Sequence, residues 1–161
     1  MKFTLLLAVS IISTVASANE IFVLKKSFNP KNVLHFKANV EGCKLKNPAV
    51  TNHWIMGEEK NQVEGLTNSE KPYFQPKITY QNDTEADFGM GAIDKMGSRI
   101  GDKSIRIRLD NCKAKAFIDI NNQEIQLTEI FANVGLLMNV KSMTIKGIAP
   151  DGRAVSVKID N

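Results

Sequence analysis

The chain has 161 residues, of which 43% are hydrophobic and 24% are charged, and its formal net charge is +4. This length is enough for one domain that buries roughly two thirds of its unfolded surface. We find no internal repeat, low-complexity tract or second domain, which excludes repeat arrays and disordered linkers, and we expect no nucleic-acid partner.

The start of the chain predicts an export signal. A lysine at the second position precedes an apolar run over residues 4–15, and residues 16–18 (Ala-Ser-Ala) have the small side chains of a cleavage site. The run is shorter than the about 20 residues that span a bilayer. No cysteine follows the cleavage site, which excludes lipid attachment there. We therefore expect a signal peptide over residues 1–18 and a periplasmic or secreted mature chain over residues 19–161.

Three strands are predicted before residue 57. Residues 21–26 and 33–40 are rich in β-forming residues, and an Asn-Pro turn separates them. Gly42 and Pro48 are expected to bracket a second connection, and residues 50–56 to form the third strand. Alternation with a period of two predicts one buried and one solvated face.

The next segment is less regular. Residues 57–72 are polar and rich in turn formers, which predicts a loop. Residues 73–81 are extended, but Pro76 restricts them to an edge or bulged strand. Residues 86–93 place apolar side chains on one side with glycines between them, which indicates a bent strand.

The clearest alternation in the chain spans residues 103–110 and 113–120. A two-residue turn at residues 111–112 makes the buried faces of the two strands match, with Leu109 opposite Ala114. A slip of one residue would destroy that match. We therefore predict a tight hairpin.

Three further strands are predicted at residues 124–131, 142–149 and 154–160. A link over residues 133–139 and a Pro-Asp-Gly turn at residues 150–152 join them. The total is about nine or ten strands at spacings of 8 to 12 residues. This pattern predicts an all-β fold, an antiparallel meander that forms a curled sandwich or barrel-like sheet.

Several strand and turn segments carry a family resemblance. They are Phe22-Val23-Leu24-Lys25-Lys26-Ser27 with Asn29 and Asn32, Lys44-Leu45, Pro48, Trp54-Ile55, Leu66-Thr67, Glu70-Lys71, Tyr73, Ile118-Asp119-Ile120-Asn121, Leu127 to Phe131, and Val140 to Gly147. Together these segments resemble the bacterial family catalogued as domain of unknown function 4833. The likeness covers most of the predicted mature chain, and it consists of strand and turn patterns rather than reactive groups, so the resemblance implies no activity.

The chain has two cysteines, Cys43 and Cys112, and an exported protein most simply pairs them. Two buried free thiols are the alternative. Two cysteines and two histidines without Cys-x-x-Cys spacing do not make a zinc pattern. The predicted bond would also draw four lysines together: Lys44, Lys46, Lys113 and Lys115.

One face of the predicted hairpin is the candidate partner surface. We call it the hairpin face, and it consists of Arg106, Arg108, Lys113, Lys115 and Phe117. Like charges directly opposed at Arg108 and Lys115 are mildly destabilising, so we expect a compensating group. Asp110 and Asp119 share this face, which leaves both an ordinary charged exterior and an anion-binding patch open.

The two histidines, His35 and His53, and the neighbouring Trp54 are weak polar and aromatic candidates. A histidine-centred acid–base or metal site would need nearby carboxylates. The candidates for that role are Glu58, Glu59 and Asp87. We assign no catalytic residue, cofactor or metal ligand, and enzyme activity is the less favoured interpretation.

The favoured hypothesis is a non-enzymatic binding module of the bacterial envelope. Its partner would be a small apolar ligand in the mouth of the curled sheet or an anionic envelope component on the hairpin face. One alternative is a hydrolase-type enzyme that uses His35 or His53 with a nearby carboxylate. Another is a structural or interaction protein that presents an edge strand.

Overall fold

The structure is a computed structural model that describes residues 17–27, 33–52, 73, 76–96, 105–135, 137 and 139–161. These residues form ten strands and one short helix, which confirms the predicted all-β class. In chain order they are β1 (Ser17–Lys26), β2 (Val33–Glu41), β3 (Lys44–Asn52), β4 (Pro76–Asn82), β5 (Glu85–Met90), α1 (Gly91–Lys95), β6 (Ile105–Asp110), β7 (Lys113–Ile120), β8 (Gln123–Val134), β9 (Val140–Ile148) and β10 (Ala154–Asp160). Within the described ranges, no helix has the length and apolar character needed to cross a membrane.

The ten strands form one curled sheet that divides at β8. One edge of β8 pairs with β9, which pairs with β10. The other edge pairs antiparallel with β7 in its first half and parallel with β1 in its second half. One arm continues from β7 to β4, and the other from β1 to β3. The predicted meander of sequential strands is confirmed from β1 to β3 and from β4 to β10. The strands β3 and β4 stand at opposite ends of the strand order, and the parallel pair β1–β8 joins the two meanders.

The hydrophobic core lies between the two arms. Phe22 on β1 stacks on Phe36 of β2 with ring centroids 4.6 Å apart. Phe88 on β5, in the other arm, meets both rings edge-on at 5.4 and 5.2 Å. All three rings are buried, and each contributes about 2 kcal/mol by its removal from water. The aromatic cluster therefore holds the two arms together across the curl.

Tight turns close the hairpins because their residues accept positive φ angles. Asn111 and Cys112 have φ of 49° and 59°, which is the conformation of a two-residue hairpin turn. The predicted register is confirmed, with Leu109 opposite Ala114. Gly42 and Cys43 make the same kind of turn.

The turn at Gly42 corrects the predicted third strand. Residues 44–48 were predicted as a connection, but β3 begins at Lys44, directly after the turn. Pro48 lies within this strand. Proline is tolerated there because β3 is an edge strand, and because its pairing with β2 is irregular between Leu45 and Val50.

Two further expectations differ from the structure. Residues 91–95 form helix α1 instead of the end of a strand, because the buried side chains of Ala92 and Ile93 fit a helical face equally well. In β8, a register shift between Leu127 and Glu129 exchanges the two faces. As a result Ile130 is fully buried, whereas unbroken alternation from Ile125 and Leu127 would place Phe131 on the buried side.

Candidate functional site

Three residues on neighbouring strands form a row on the outer face of the sheet. Phe117 of β7 lies opposite Gln126 of β8, and Gln126 lies opposite Ile148 of β9. The residues beside them in sequence, such as Ile118 and Ile125, point into the core. Ile148 is 40% exposed, and only Leu137 is a more exposed large aliphatic side chain among the described residues. The row therefore places an aromatic ring and an aliphatic side chain on either side of an amide.

The turn between β9 and β10 forms a wall beside this row. The Gly152 N–H donates to the carbonyl of Ala149 at 2.9 Å, and Pro150 occupies the second turn position, where its fixed φ suits the bend. The backbone N–H and the side chain of Arg153 donate to Asp151 at 3.1 and 2.6 Å. These bonds lower the pKa of Asp151. The wall is thus held by proline and by local hydrogen bonds, as the Pro-Asp-Gly sequence predicts.

The row of Phe117, Gln126 and Ile148 is the floor of an open groove, and the β9–β10 turn is its wall. The groove has a volume of about 360 Å³. This volume lies within the range of small-molecule sites, which begins at about 300 Å³. We call it the outer groove. Its lining residues are Asp110, Lys115, Phe117, Glu124, Gln126, Ile148, Ala149, Pro150 and Gly152.

Carboxylates compensate the positive charges of the hairpin face. Arg106 Nη2 lies 3.0 Å from Asp119 and 2.5 Å from Glu124. Arg108 also binds Glu124, and Lys115 lies 2.5 Å from Asp110. The expected compensating group is thus a set of three carboxylates, of which the sequence had not suggested Glu124. Three of the four cations on this face are ion-paired.

Phe117 packs against one of these cations. The Arg108 guanidinium carbon lies 4.2 Å from the centroid of the ring. This contact leaves the ring half-buried, and it orients the flat guanidinium toward Glu124. The predicted loop over residues 57–72 lies outside the described residues.

The predicted disulfide is confirmed. Cys43 and Cys112 are bonded, with their Cα atoms 4.6 Å apart, and the bond joins the β2–β3 turn to the β6–β7 turn. The Leu45 N–H donates to the carbonyl of Asp83 at 2.6 Å, which brings the β4–β5 turn to the same end of the sheet.

The lysines near the disulfide do not form an uncompensated patch. Lys44 bonds to Asp83 at 2.9 Å, and this hydrogen bond lowers the pKa of Asp83 and raises that of Lys44. Lys46 lies 3.6 Å from Glu41, and Lys115 is paired as described above. Lys113 is exposed at the turn. The expected concentration of positive charge is therefore largely neutralised.

His35 has a carboxylate partner that the sequence did not suggest. Its Nδ1 lies 2.5 Å from Oε2 of Glu20, on the neighbouring strand, and both side chains are partly exposed. Asp87 instead accepts a hydrogen bond from Gln81 at 2.7 Å. His53, Trp54, Glu58 and Glu59 lie outside the described residues. Among the described side chains, no group of three or more His, Cys, Asp or Glu residues is placed to share a metal ion.

Sequence reasoning identified only the β6–β7 side of the outer groove. Lys115 and Phe117 belong to the hairpin face, but Gln126, Ile148 and Pro150 were not candidates. Alternation could have placed Gln126 on the solvated face of its strand. It could not have shown that Gln126 lies opposite Ile148, because that pairing depends on the register shift between Leu127 and Glu129.

Comparison with protein-family models shows the family to which the chain is similar. The family model for a domain of unknown function, DUF4833, matches residues 22–158. This region contains every residue that lines the outer groove. No curated protein and no solved structure matches the chain.

Proposed function

The chain belongs to the DUF4833 family, a domain of unknown function, and we propose that it is an exported, non-enzymatic binding module whose ligand occupies the outer groove. The observation that carries this proposal is the Phe117–Gln126–Ile148 row with its hydrogen-bonded wall. A site that is already formed loses little conformational entropy when it binds. The groove thus combines an apolar surface with a few fixed polar groups, as small-molecule sites commonly do.

The packing and charges favour the outer groove over the two sites expected from sequence. The space between the arms is occupied by the aromatic cluster of Phe22, Phe36 and Phe88, which argues against a ligand at that level of the curl. The ion pairs with Glu124 and Asp110 reduce the attraction that the hairpin face has for an anion.

Two observations support export to a periplasmic or extracellular compartment. The first is the charged, apolar and small-residue pattern of residues 1–18. The second is the disulfide, since such bonds persist in oxidising compartments. N-terminal sequencing of the mature protein tests export, with Asn19 as the expected first residue. A mature chain that still begins at Met1 would contradict it.

Native mass spectrometry of the protein purified from its native source tests the binding proposal. We expect a bound molecule that is lost in Gln126→Arg, because a longer cationic side chain would fill the groove beside Glu124. Gln123→Arg, at the exposed start of the same strand, is the matched control and should retain the molecule. Absence of a bound molecule, or equal retention in both variants, would contradict a groove ligand.

The Glu20–His35 contact favours a second candidate, a hydrolase-type enzyme. A carboxylate that bonds one imidazole nitrogen orients the ring, so that the other nitrogen can act as a general base. Assays with chromogenic esters, glycosides and phosphates test it, with Glu20→Gln and His35→Gln as the variants. Turnover lost in both variants would support the enzyme. No turnover, or turnover that survives both substitutions, would eliminate this dyad as its source.

A further inference from the structure

We infer that the outer groove binds a neutral saccharide. This assignment rests on the proposed function and specifies the ligand class of the same site. Three features of the groove carry it: an apolar platform, a polar side chain with unused hydrogen-bonding groups, and charges that are already paired.

The platform is made by Phe117 together with Ile148 and Pro150. Arg108 stacks over one face of the Phe117 ring, which leaves the rest of the ring for the groove. A sugar ring has one face of C–H groups, and such a face packs well on an aromatic or aliphatic surface. The aliphatic side chains extend this surface across to the β9–β10 turn.

The polar groups of the groove match the hydroxyls of a sugar. The side-chain amide of Gln126 has no hydrogen-bond partner in the part of the chain that the structure describes, and it offers two donors and one acceptor. The carboxylates of Asp110 and Glu124 can accept further hydrogen bonds, and the Lys115 ammonium can donate further ones. Because a hydroxyl both donates and accepts, a ligand with several hydroxyls can use all of these groups together.

Charge pairing argues against the other ligand classes. An anion would lie beside Asp110 and Glu124, and it would compete with them for Lys115 and Arg108. A purely apolar ligand would cover these charged groups without replacing their hydrogen bonds to water, which is costly. A neutral ligand rich in hydroxyls does not compete for the two cations, and its hydroxyls can replace the hydrogen bonds to water.

Isothermal titration calorimetry of the mature, disulfide-bonded protein tests the assignment. The neutral probes are cellohexaose, chitohexaose, maltohexaose and mannohexaose, and the acidic probes are polygalacturonate and dextran sulfate. We expect binding of at least one neutral probe that changes little with added salt. Phe117→Leu and Gln126→Ala should each weaken it about tenfold, the size expected for a stacking contact or a hydrogen bond. Phe131→Leu and Gln123→Ala, both on β8 and outside the groove, are matched controls that should bind as the wild type does.

The outcomes separate the ligand class from the proposed function. Binding of the acidic probes alone, weakened by the two groove variants, would overturn the saccharide assignment and leave the groove as a binding site. Neutral-probe binding that is equal in the groove variants and the controls would overturn both. Failure of all four neutral probes to bind would also overturn the saccharide assignment. Thermal unfolding of each variant shows whether a loss of binding reflects a loss of folded protein.

Discussion

Gly147 and Gln126 approach so closely that a Cβ added to Gly147 would lie 2.4 Å from the carbonyl oxygen of Gln126. This contact lies next to the β8 irregularity, where Leu127 is opposite Gly147 and the Thr128 hydroxyl donates to the carbonyl of Lys146 at 3.1 Å. The carbonyl oxygen of Gln126 belongs to the backbone, and a Cβ at position 147 would be attached directly to it. Relief of the contact would therefore require one of the two strands to shift. Glycine at position 147 therefore allows β9 to lie tightly against the floor of the outer groove.

We predict that Gly147→Ala destabilises the protein by about 1 to 3 kcal/mol, the range for an overpacked interior site. Urea unfolding followed by circular dichroism measures the effect. Thr144→Ala, on a half-buried position of the same strand, should cost much less. If the unfolding midpoint of Gly147→Ala equals that of the wild type, the prediction is contradicted. Such a result would show that β8 and β9 can move apart at this contact without loss of stability.

Glu129 should make stability depend on pH. It accepts hydrogen bonds from Lys146, at 2.8 Å, and from Lys25, and these bonds lower its pKa below the ordinary value of 4.5. Folding therefore gains from the charged carboxylate above pH 4.5, and this gain disappears as the pH falls through the lower pKa of the folded state.

The corresponding test compares the wild type with Glu129→Gln. We expect the variant to be less stable by about 1 kcal/mol at neutral pH, a modest value because both lysines are half-exposed and screened by solvent. The difference should shrink as the pH is lowered from 5 to 2, by about that amount. A constant difference over this interval would indicate that the two lysine contacts contribute nothing to folding.

Reduction of the disulfide should lower stability without abolishing the fold. The bond closes a loop with a sequence separation of 69 residues, and in the chain-entropy model such a closure contributes up to about 4 kcal/mol. We expect a loss of about 2 to 4 kcal/mol in the Cys43→Ser/Cys112→Ser variant, measured by urea unfolding. The core cluster of Phe22, Phe36 and Phe88 should keep the arms together. A variant that is unfolded in the absence of urea would show that the core alone does not suffice.

A double-mutant cycle tests the contact between Arg108 and Phe117. We predict a coupling energy of about 0.5 to 1 kcal/mol for the pair Arg108→Gln and Phe117→Leu, as for a partly exposed cation above an aromatic ring. The cycle Arg108→Gln with Phe131→Leu is the control, and its two effects should simply add. Additive effects in the first cycle as well would mean that the ring and the guanidinium are neighbours without a net interaction.

Local sequence patterns predicted most of the hairpins. The alternation on either side of residues 111–112 determined both the turn and the register with Leu109 opposite Ala114, because only one register buries both apolar faces. Because the chain has two cysteines, Cys43–Cys112 is the one disulfide that can form within it. The Pro-Asp-Gly sequence likewise predicted the β9–β10 turn, since proline and glycine fit its backbone angles.

Long-range arrangement was not accessible from the sequence. The parallel pairing of β1 with β8 joins residues more than 100 positions apart, and no local pattern specifies such a partner. The shift after Leu127 also escaped prediction, because one extra residue reverses the inside and outside of the strand. For this reason Ile148 was not recognised as the partner of Gln126. The Glu20–His35 contact was missed because Glu20 precedes the predicted first strand, residues 21–26.

The most direct test of the outer groove as a ligand site is an NMR fragment screen of the ¹⁵N-labelled mature protein. We predict that bound fragments shift the amide resonances of Phe117, Gln126 and Ile148 together, and that those of Phe131 and Thr144, outside the groove, remain unchanged. Fragments that shift only resonances elsewhere, or a screen in which the three groove amides never move, would contradict the proposed site.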